Sequence, residues 1–221
     1  TALDEVSGPE WIRLLYVYPS AVDDALIEAL GNGRRVLPYV DIPLQHGSDA
    51  MLRAMRRGTT AARQRELVAK LRDRIEGLTL RTTVIVGFPG ETERDFEELL
   101  AFVEESRFDR LGVFRYSDEE GTAAFDLPGK VPRATARDRY RRLTALQQGI
   151  MESRLKTQVG SEERVLIDAV LGRDRAIGRA SSQAPEIDGV VHLHTEGAAT
   201  VGEFRTARIT GVRDIDLVAT A

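Results

Sequence analysis

Short apolar runs alternate with amphipathic segments over the first 120 residues of the chain. The runs are rich in β-branched and aromatic residues and cover 12–18, 36–44, 80–86 and 111–116. The segments between them repeat apolar residues at helical spacing and cover 21–30, 51–55, 60–75 and 92–103. Strands that alternate with helices form right-handed βαβ units with parallel strands. The pattern predicts an α/β fold whose parallel strands curl into a partial, TIM-like barrel.

Two of the predicted helices begin at residues that are typical helix caps. Ser48 precedes the segment that contains Met51 and Met55, and Thr92 precedes the apolar stripe of a later helix. Asp95 lies three residues after Thr92, which is a variant of the capping box. We therefore expect Ser48 and Thr92 to be N-caps.

The last part of the chain has a different pattern. Residues 126–132 resemble a turn or linker, and residues 134–156 have the spacing of one long helix. Short runs bounded by glycine follow at 163–170, 176–180, 189–193, 204–210 and 215–219. Such spacing is typical of a small antiparallel β-barrel. The predicted domains are a partial barrel over 1–133, a connecting helix over 134–158 and a small β-barrel over 159–221.

Composition limits the classes of protein that the chain can represent. It has no cysteine, so these residues form no disulfide and no thiolate-held metal or iron–sulfur site. The net charge of −4 differs from the basic character of many nucleic-acid-binding domains. No run approaches the roughly 18 apolar residues of a membrane span, and the polar start lacks the features of a signal peptide. We therefore expect a cytoplasmic protein with no membrane partner.

Glycine, proline, aromatic and polar residues follow each predicted strand. They are Tyr18-Pro19 and the segments 43–47 (PLQHG), 87–92 (GFPGET) and 116–122 (YSDEEGT). Ligands collect at the carboxyl ends of parallel strands, so these segments predict a binding rim. Glycine lets a ligand approach the backbone, and the N–H groups of the next helix can hold a carboxylate or phosphate. The glycines can equally serve tight turns alone, and both interpretations stay open.

Single residues of this rim also have ordinary structural roles. A lone histidine such as His46 is more often a hydrogen-bonding residue than a catalyst. The Glu119-Glu120 pair is typical of a solvated loop. His192 and His194 alternate on a predicted strand, but no acidic or thiol partner lies nearby in sequence, so we expect no metal there. These residues predict a ligand-binding barrel with a β-barrel tail, and they do not name a reaction.

Three ordered motifs resemble the methylthiotransferase branch of the radical SAM enzymes. They are the segments 41–46 (DIPLQH), 51–58 (MLRAMRRG) and 84–92 (VIVGFPGET). The resemblance extends from Trp11 to the end of the chain, and residues 159–221 are similar to the TRAM β-barrel of these enzymes. It therefore implies a radical SAM barrel followed by a TRAM domain.

Two branches of this family differ at positions that the chain contains. The tRNA-modifying branch has Gln-Ser-Gly where this chain has 45–47 (QHG), and an arginine within the motif that matches 116–122. The RimO-type branch, which modifies a ribosomal protein, has Gln-His, the acidic form of that motif and the segment found at 184–189 (APEIDG). The tail from Leu155 to Ala221 carries eight basic and ten acidic side chains. A barrel that grips tRNA should be basic, so motifs and charge both favour the RimO type.

The resemblance also implies a reaction and its cofactors. The whole enzyme would add a methylthio group to the β-carbon of an aspartate in small-subunit ribosomal protein twelve. The cofactors would be S-adenosylmethionine (SAM) and two 4Fe–4S clusters, which carry the difficult chemistry. The family's cluster-binding cysteines are missing from this chain. We therefore expect a fragment that follows a cluster-binding part, ligates no cluster itself and is inactive alone.

The positions that match the family's motifs give the expected site residues. The cofactor-binding residues would be Gln45, His46, Thr83, Gly87, Phe88, Pro89, Gly90 and Tyr116. A basic substrate loop would meet Asp118, Glu119 and Glu120. No catalytic acid or base and no metal ligand is expected within the chain, because radical hydrogen abstraction needs no proton transfer by a side chain.

Three other functions remain as alternatives. The first is a tRNA methylthiotransferase of the same family. The second is a non-catalytic module that binds the ribosome or RNA. The third is an unrelated phosphate-binding α/β-barrel enzyme, which would need a Schiff-base lysine or a carboxylate metal cluster on the rim. Lys70 and Lys130 lie in a predicted helix and the linker, which disfavours the third.

Overall fold

A parallel sheet forms the first part of the chain. The structure is a computed structural model that describes residues 2–221. Its strands are β1 (Ile12–Leu14), β2 (Val36–Asp41), β3 (Thr79–Val86) and β4 (Arg110–Arg115), paired in that order with all neighbours parallel. The helices between them are α1 (Asp24–Asn32), α2 (Asp49–Ala54), α3 (Ala61–Arg74) and α4 (Glu93–Ser106). Short 3₁₀ turns cover Ala2–Glu5 and Pro19–Ala21. The predicted α/β architecture is confirmed.

The sheet's two faces differ because side chains alternate along each strand. On β3, Thr82, Val84 and Val86 are fully buried, whereas Thr83 and Ile85 are half-buried on the opposite face. The buried face packs against the helices, and α4 contributes a stripe with no exposed area: Phe96, Leu99, Phe102 and Val103. The helices thus cover one face of the sheet, and the carboxyl ends of its strands form the rim.

The cap of α4 confirms the predicted capping box, and the cap of α2 differs from the prediction. Thr92 Oγ1 accepts from Asp95 N–H, and the Asp95 carboxylate accepts from Thr92 N–H. Ser48 occupies the N-cap position of α2, but its hydroxyl makes no cap bond. It donates instead to Asp95 Oδ1 at 2.6 Å. The sequence could not show this, because the two residues are 47 positions apart.

The second part of the chain is a closed five-stranded barrel. Its strands are β5 (Glu162–Val170), β6 (Arg175–Ala180), β7 (Val191–His194), β8 (Phe204–Arg213) and β9 (Asp216–Thr220). They close in the order β5-β6-β7-β9-β8. All pairs are antiparallel except β7 with β9, which is parallel. The predicted small barrel is confirmed, but it is mixed, because the 195–203 connection carries the chain across to β8 beside β5.

One long helix, α5 (Arg133–Lys156), connects the sheet and the barrel. Leu143 and Ile150 pack in the core of the sheet, whereas Leu155 packs in the core of the barrel. The helix therefore belongs to both hydrophobic cores. Across residues 2–221, none of the helices combines the length and the apolar character that crossing a membrane requires.

The barrel also contacts the sheet through the loop between β6 and β7. Arg13 donates hydrogen bonds to the carbonyl oxygens of Ser181 and Gln183, at 2.8 and 2.9 Å. The phenol of Tyr39 donates to the fully buried carboxylate of Asp188. Burial raises the pKa of Tyr39 far above its ordinary value, so the phenol stays protonated and keeps donating. This loop contains the 184–189 segment that distinguishes the RimO-type branch.

Candidate functional site

The segment after β2 turns sharply at the sheet's carboxyl edge. Gln45 has a positive φ of 73°, a conformation in which non-glycine residues are uncommon. Its N–H donates to Thr83 O at 2.9 Å, and its carbonyl accepts from Ile85 N–H at 2.9 Å. These two bonds extend the pairing with β3 and hold the turn. The backbone of Gln45 is therefore fixed, and its half-buried side chain lies at the rim.

Two cavities lie at this rim. The first, the Gln45 cavity, has a volume of about 330 Å³ and a largely apolar wall. Its lining includes Gln45, Met55, Arg57, Ile85, Phe88 and Leu127. The loop after β4 supplies part of the wall, through residues 123, 124 and 127. This cavity suits a flat, largely apolar group that can pack against Phe88 and can hydrogen-bond the side-chain amide of Gln45 at its edge.

The second cavity, the Gly87 cavity, is polar and has a volume of about 430 Å³. Its lining includes Gly87, Arg115, Tyr116, Asp118, Lys130 and Arg137. Tyr116 donates to Asp118 Oδ1 at 2.9 Å, and Lys130 forms an ion pair with the same oxygen. The hydrogen bond from Lys130 lowers the pKa of Asp118. The cavity thus holds one ionised carboxylate among several cations, and it suits a charged or zwitterionic group.

Phe88 and Tyr116 connect the two cavities. Phe88 lines the Gln45 cavity and Tyr116 lines the Gly87 cavity. Their ring centroids are 5.2 Å apart at an interplanar angle of 73°, an edge-to-face contact. One ligand with an apolar end and a charged end could therefore contact both cavities across this aromatic pair.

Gly87 is required at the turn after β3 by both conformation and space. Its φ is +77°, and a Cβ at this position would lie 2.7 Å from the Cβ of Ala136 on α5. Glycine therefore lets the rim turn lie directly against the connecting helix. The N–H of Gly87 donates to the carboxylate of Glu91.

A buried network of hydrogen bonds and one ion pair holds this turn in place. The His46 ring is fully buried. Its Nδ1 accepts a hydrogen bond from Ser48 N–H at 3.0 Å, so the ring proton lies on Nε2. Nε2 then donates to Glu91 Oε1 at 3.3 Å. Arg139, which is 4% exposed, lies 3.2 Å from Glu91 Oε2. Glu91 thus links the two rim segments and α5. A buried carboxylate needs such partners to remain charged.

The structure brings only some of the predicted residues to the cavities. Gln45, Phe88, Gly87, Tyr116 and Asp118 line them. The other predicted residues lie outside the cavity walls: His46, Thr83, Pro89, Gly90, Glu119 and Glu120. His46 and Pro89 are buried beneath the rim, Thr83 is half-buried on β3, and Gly90 donates to Gly129 O at 2.8 Å. Glu119 and Glu120 are exposed at the turn after Ser117.

Sequence reasoning missed several residues of the site. Glu91 and Arg139 form the buried support, and Arg115 and Arg137 line the Gly87 cavity. Glu91 follows the glycine turn inside a recognised motif, which was the only available signal. The arginines gave no such signal. Arg137 and Arg139 lie on a helix that was expected only to connect the two domains, and Arg115 lies within a predicted strand.

The two cavities differ in character as the two ends of SAM do, whereas the chain has no thiolate to offer an iron–sulfur cluster. SAM joins an adenine ring to a charged methionine group, which matches one apolar and one charged cavity beside an aromatic pair. The residues that would hold it are Gln45, Phe88, Gly87 and Tyr116. No cysteine is present in the sequence. Within residues 2–221, no group of three or more His, Cys, Asp or Glu side chains could hold a metal ion.

Comparison with known proteins identifies the two parts of the chain. The family model described as Radical SAM superfamily matches residues 2–103, and that of the TRAM domain matches residues 159–221. Coproporphyrinogen III oxidase (HemN) from Escherichia coli, described as a radical SAM enzyme, has a similar fold with a TM-score of 0.53. That match has 15% sequence identity and covers 77% of this chain and 44% of that one. The chain therefore belongs to the radical SAM superfamily and carries a TRAM domain.

Among proteins with these domains, the sequence groups with the RimO-type methylthiotransferases. Ribosomal protein uS12 methylthiotransferase RimO from Sorangium cellulosum is 49% identical over 216 residues, which is 97% of this chain and 44% of that protein. The RimO proteins of Anaeromyxobacter sp. (strain K) and Aquifex aeolicus are 48% and 45% identical, over 98% and 97% of this chain. These matches cover 46% and 50% of those proteins. The chain thus spans about half the length of the curated relatives it matches.

Proposed function

We propose that the chain forms the SAM-binding rim and the TRAM barrel of a methylthiotransferase that modifies ribosomal protein uS12. The observation that carries the proposal is the 45–49% identity to proteins named as uS12 methylthiotransferases, over nearly the whole chain. The target within uS12 is proposed to be an aspartate side chain. The two cavities at the carboxyl edge of the sheet support the SAM part of the proposal.

In this proposal, the rim residues bind and orient. The Gln45 cavity takes the adenine, with Phe88 against the ring and the Gln45 amide at its polar edge. The Gly87 cavity takes the methionine group, which lies beside Gly87 and Tyr116. The chemistry that bound SAM supplies in this superfamily is radical hydrogen abstraction. The two 4Fe–4S clusters are proposed to be held by cysteines outside these 221 residues.

The charge of the barrel favours a protein substrate over tRNA. The tail from Leu155 onward has eight basic and ten acidic side chains, whereas phosphate binding needs an excess of cations. Glu119 and Glu120 add two exposed carboxylates beside the rim. Opposite charge steers the encounter with a basic ribosomal protein. Asp118, Glu119 and Glu120 are proposed to meet a basic segment of uS12.

Binding of SAM to the 221-residue chain tests the cofactor part. Titration calorimetry should give binding that Phe88→Ala weakens by about tenfold, since stacking contacts of this kind are worth on the order of 1 kcal/mol. Phe204→Ala is the matched control, because Phe204 also makes an edge-to-face ring contact, with Trp11, but lies outside the two cavities. Equal affinities of the two variants would contradict the assignment of Phe88 to the SAM site.

Binding of purified uS12 and of an anticodon stem-loop, across a salt series, tests the substrate part. We expect uS12 to bind and the RNA to bind weakly at all salt concentrations. Tight RNA binding that falls steeply with salt would move the function to the tRNA-modifying branch, because counterion release makes phosphate binding strongly salt-dependent.

A further inference from the structure

We propose that the free edge of β4, with the cleft beside it, docks an extended segment of the protein substrate as an additional strand of the sheet. This inference rests on the proposed function, and it names the surface that receives uS12. The surface lies away from the SAM cavities, on the side of the sheet that faces the TRAM barrel.

The cleft lies between the sheet, α5 and the TRAM barrel. We call it the Arg110 cleft; its volume is about 440 Å³, and its walls include Arg110, Gly112, Thr144, Gln147, Asp188 and Ile215. Residues 110–113 of β4 line it as one continuous stretch. One long side of the cleft is therefore the edge of a β-strand.

That edge has hydrogen-bonding groups that the sheet leaves unused. Among residues 2–221, β4 pairs with β3 alone and is the last strand in the sheet order. An edge strand presents one row of N–H and C=O groups that another strand can pair with. Addition of an extended peptide to such an edge is a recurrent mode of recognition.

Several polar atoms of the side chains around the cleft make no hydrogen bond. Polar atoms that are buried and make no hydrogen bond include Arg110 Nε, Thr144 Oγ1, Gln147 Oε1 and Asp188 Oδ1. The guanidinium of Arg110 has its nearest carboxylate, Asp188, at 3.9 Å, which is beyond hydrogen-bond distance. Buried polar groups are nearly always paired, so these unpaired atoms give the side chains around the cleft a reason to turn toward a docked segment and pair with it.

A polypeptide matches these atoms better than a nucleic acid. The unpartnered set contains acceptors on Gln147 and Asp188 as well as a donor on Arg110. A peptide segment offers N–H donors and C=O acceptors in alternation, whereas a phosphate offers acceptors alone. The cleft wall carries three carboxylates, on Glu152, Asp188 and Asp214, against the two guanidiniums of Arg81 and Arg110, and this small acidic excess favours a basic protein segment over a phosphate backbone.

The direction of β4 connects the cleft to the reaction site. The strand has 6 residues and ends immediately before Tyr116 in the wall of the Gly87 cavity. At about 3.3 Å per residue, it spans about 20 Å. A segment added along this edge therefore extends from the Arg110 cleft to the rim, so docking at one end places a residue near SAM at the other.

Hydrogen exchange on the 221-residue chain, with and without purified uS12, tests the added strand. We expect amides of β4 to exchange about tenfold more slowly when uS12 is bound, since new backbone hydrogen bonds protect them. Amides of β3 already pair on both sides and provide the internal reference. Binding of uS12 that leaves exchange in 110–115 unchanged overturns the inference.

Variants that fill the cleft provide the second test. Thr144→Trp places a large side chain in the cleft, and Ala145→Trp places it on the neighbouring, exposed position of the same helix. We expect the first to weaken uS12 binding by about tenfold or more and the second to change it by less than about twofold. Ile215→Arg, at a 43% exposed position of the cleft, gives a second variant should Thr144→Trp unfold.

The outcomes separate this inference from the proposed function. SAM binding at the rim, measured on the same variants, should remain at the wild-type level, because the cleft lies at the opposite end of β4. Equal uS12 affinities for the cleft-filling variants and Ala145→Trp overturn the inference, and so does the absence of uS12 binding to the chain. The proposed function has a separate test. Mass spectrometry of uS12 detects whether the protein that contains this chain together with the cluster-binding part adds a methylthio group.

Discussion

The phenol of Tyr39 donates a hydrogen bond to the carboxylate of Asp188, which joins the second strand of the sheet to the loop between β6 and β7. Both residues are buried, and Asp188 also accepts from Ala184 N–H at 2.9 Å. Arg81 and Arg110 lie 3.8 and 3.9 Å from the other carboxylate oxygen. The Asp188 carboxylate therefore holds the loop together and, with the hydrogen bonds from Arg13, ties the TRAM barrel to the sheet.

Tyr39→Phe should destabilise the chain by about 1–3 kcal/mol, because the Asp188 carboxylate loses a hydrogen-bond donor in a buried place. Urea unfolding measures the change. Tyr18→Phe is the control, since Tyr18 is 48% exposed and its ring contact with Arg57 does not need the hydroxyl. A loss no larger than that of the control would show that the Tyr39–Asp188 bond does not stabilise the fold.

Gly87→Ala and Gly90→Ala should separate conformational strain from steric clash at the rim. Both glycines have positive φ, but a Cβ at Gly87 would lie 2.7 Å from Ala136, whereas at Gly90 nothing lies within 4 Å. Strain alone costs about 1–3 kcal/mol. We therefore expect Gly87→Ala to reduce the free energy of unfolding by clearly more than Gly90→Ala. Similar losses would mean that α5 can shift away from the turn freely.

Glu91→Ala should destabilise the chain by about 3–5 kcal/mol, because it leaves Arg139 as a buried charge without its closest carboxylate. Glu93→Ala is the matched control. Glu93 also contacts Arg139, at 3.3 Å, but its side chain is 57% exposed. Exposed ion pairs contribute about 0–1 kcal/mol. Chemical denaturation measures the free energy of unfolding of both variants. A smaller decrease for Glu91→Ala than for Glu93→Ala would contradict the stabilising role of the buried network.

Asp95 should make the stability of the chain depend on acid pH. Burial opposes ionisation of this carboxyl, but hydrogen bonds from Ser48 and Thr92 outweigh it and lower the pKa below the ordinary 3.8. The unfolded chain therefore binds the proton first, so this stability is present above about pH 4 and is lost as the pH falls through the lower, folded value.

Thermal unfolding between pH 2.5 and 7 tests this dependence with Asp95→Asn and with Glu98→Gln, which removes a half-buried carboxylate of the same helix. Asp95→Asn should flatten the acid part of the profile and should cost about 1–3 kcal/mol at pH 7. Glu98→Gln should preserve the wild-type profile. If the stability of wild type and of Asp95→Asn changed in parallel with pH, Asp95 would not be the source of the acid dependence.

The sequence allowed prediction of the strands and the rim, because both depend on local features. The run over 80–86 is apolar, it ends at Gly87, and the structure has β3 over Thr79–Val86. Barrel closure was harder to predict. The parallel pairing of β7 with β9 depends on which side of the barrel the 195–203 loop crosses, and no local pattern encodes that choice.

The polar support of the site could not be predicted from the sequence. His46 was expected at the ligand, but its ring is buried against Glu91, which lies 45 positions away in the chain. Arg139, another 48 positions from Glu91, completes the set. Burial of charge depends on partners that only the folded chain brings together. The expectation that His46 contacts the cofactor stays a prediction.

Helix α5 gives the chain a mechanical property that neither core has alone. Its first turn lies against Gly87, and its last residues are part of the barrel core. With 24 residues it is about 36 Å long, so a rotation of about 5° at one end moves the other end by about 3 Å. The helix is therefore a stiff connection between the barrel core and the turn beside the Gly87 cavity, and the packing of Leu143 and Ile150 in the core of the sheet opposes any such rotation.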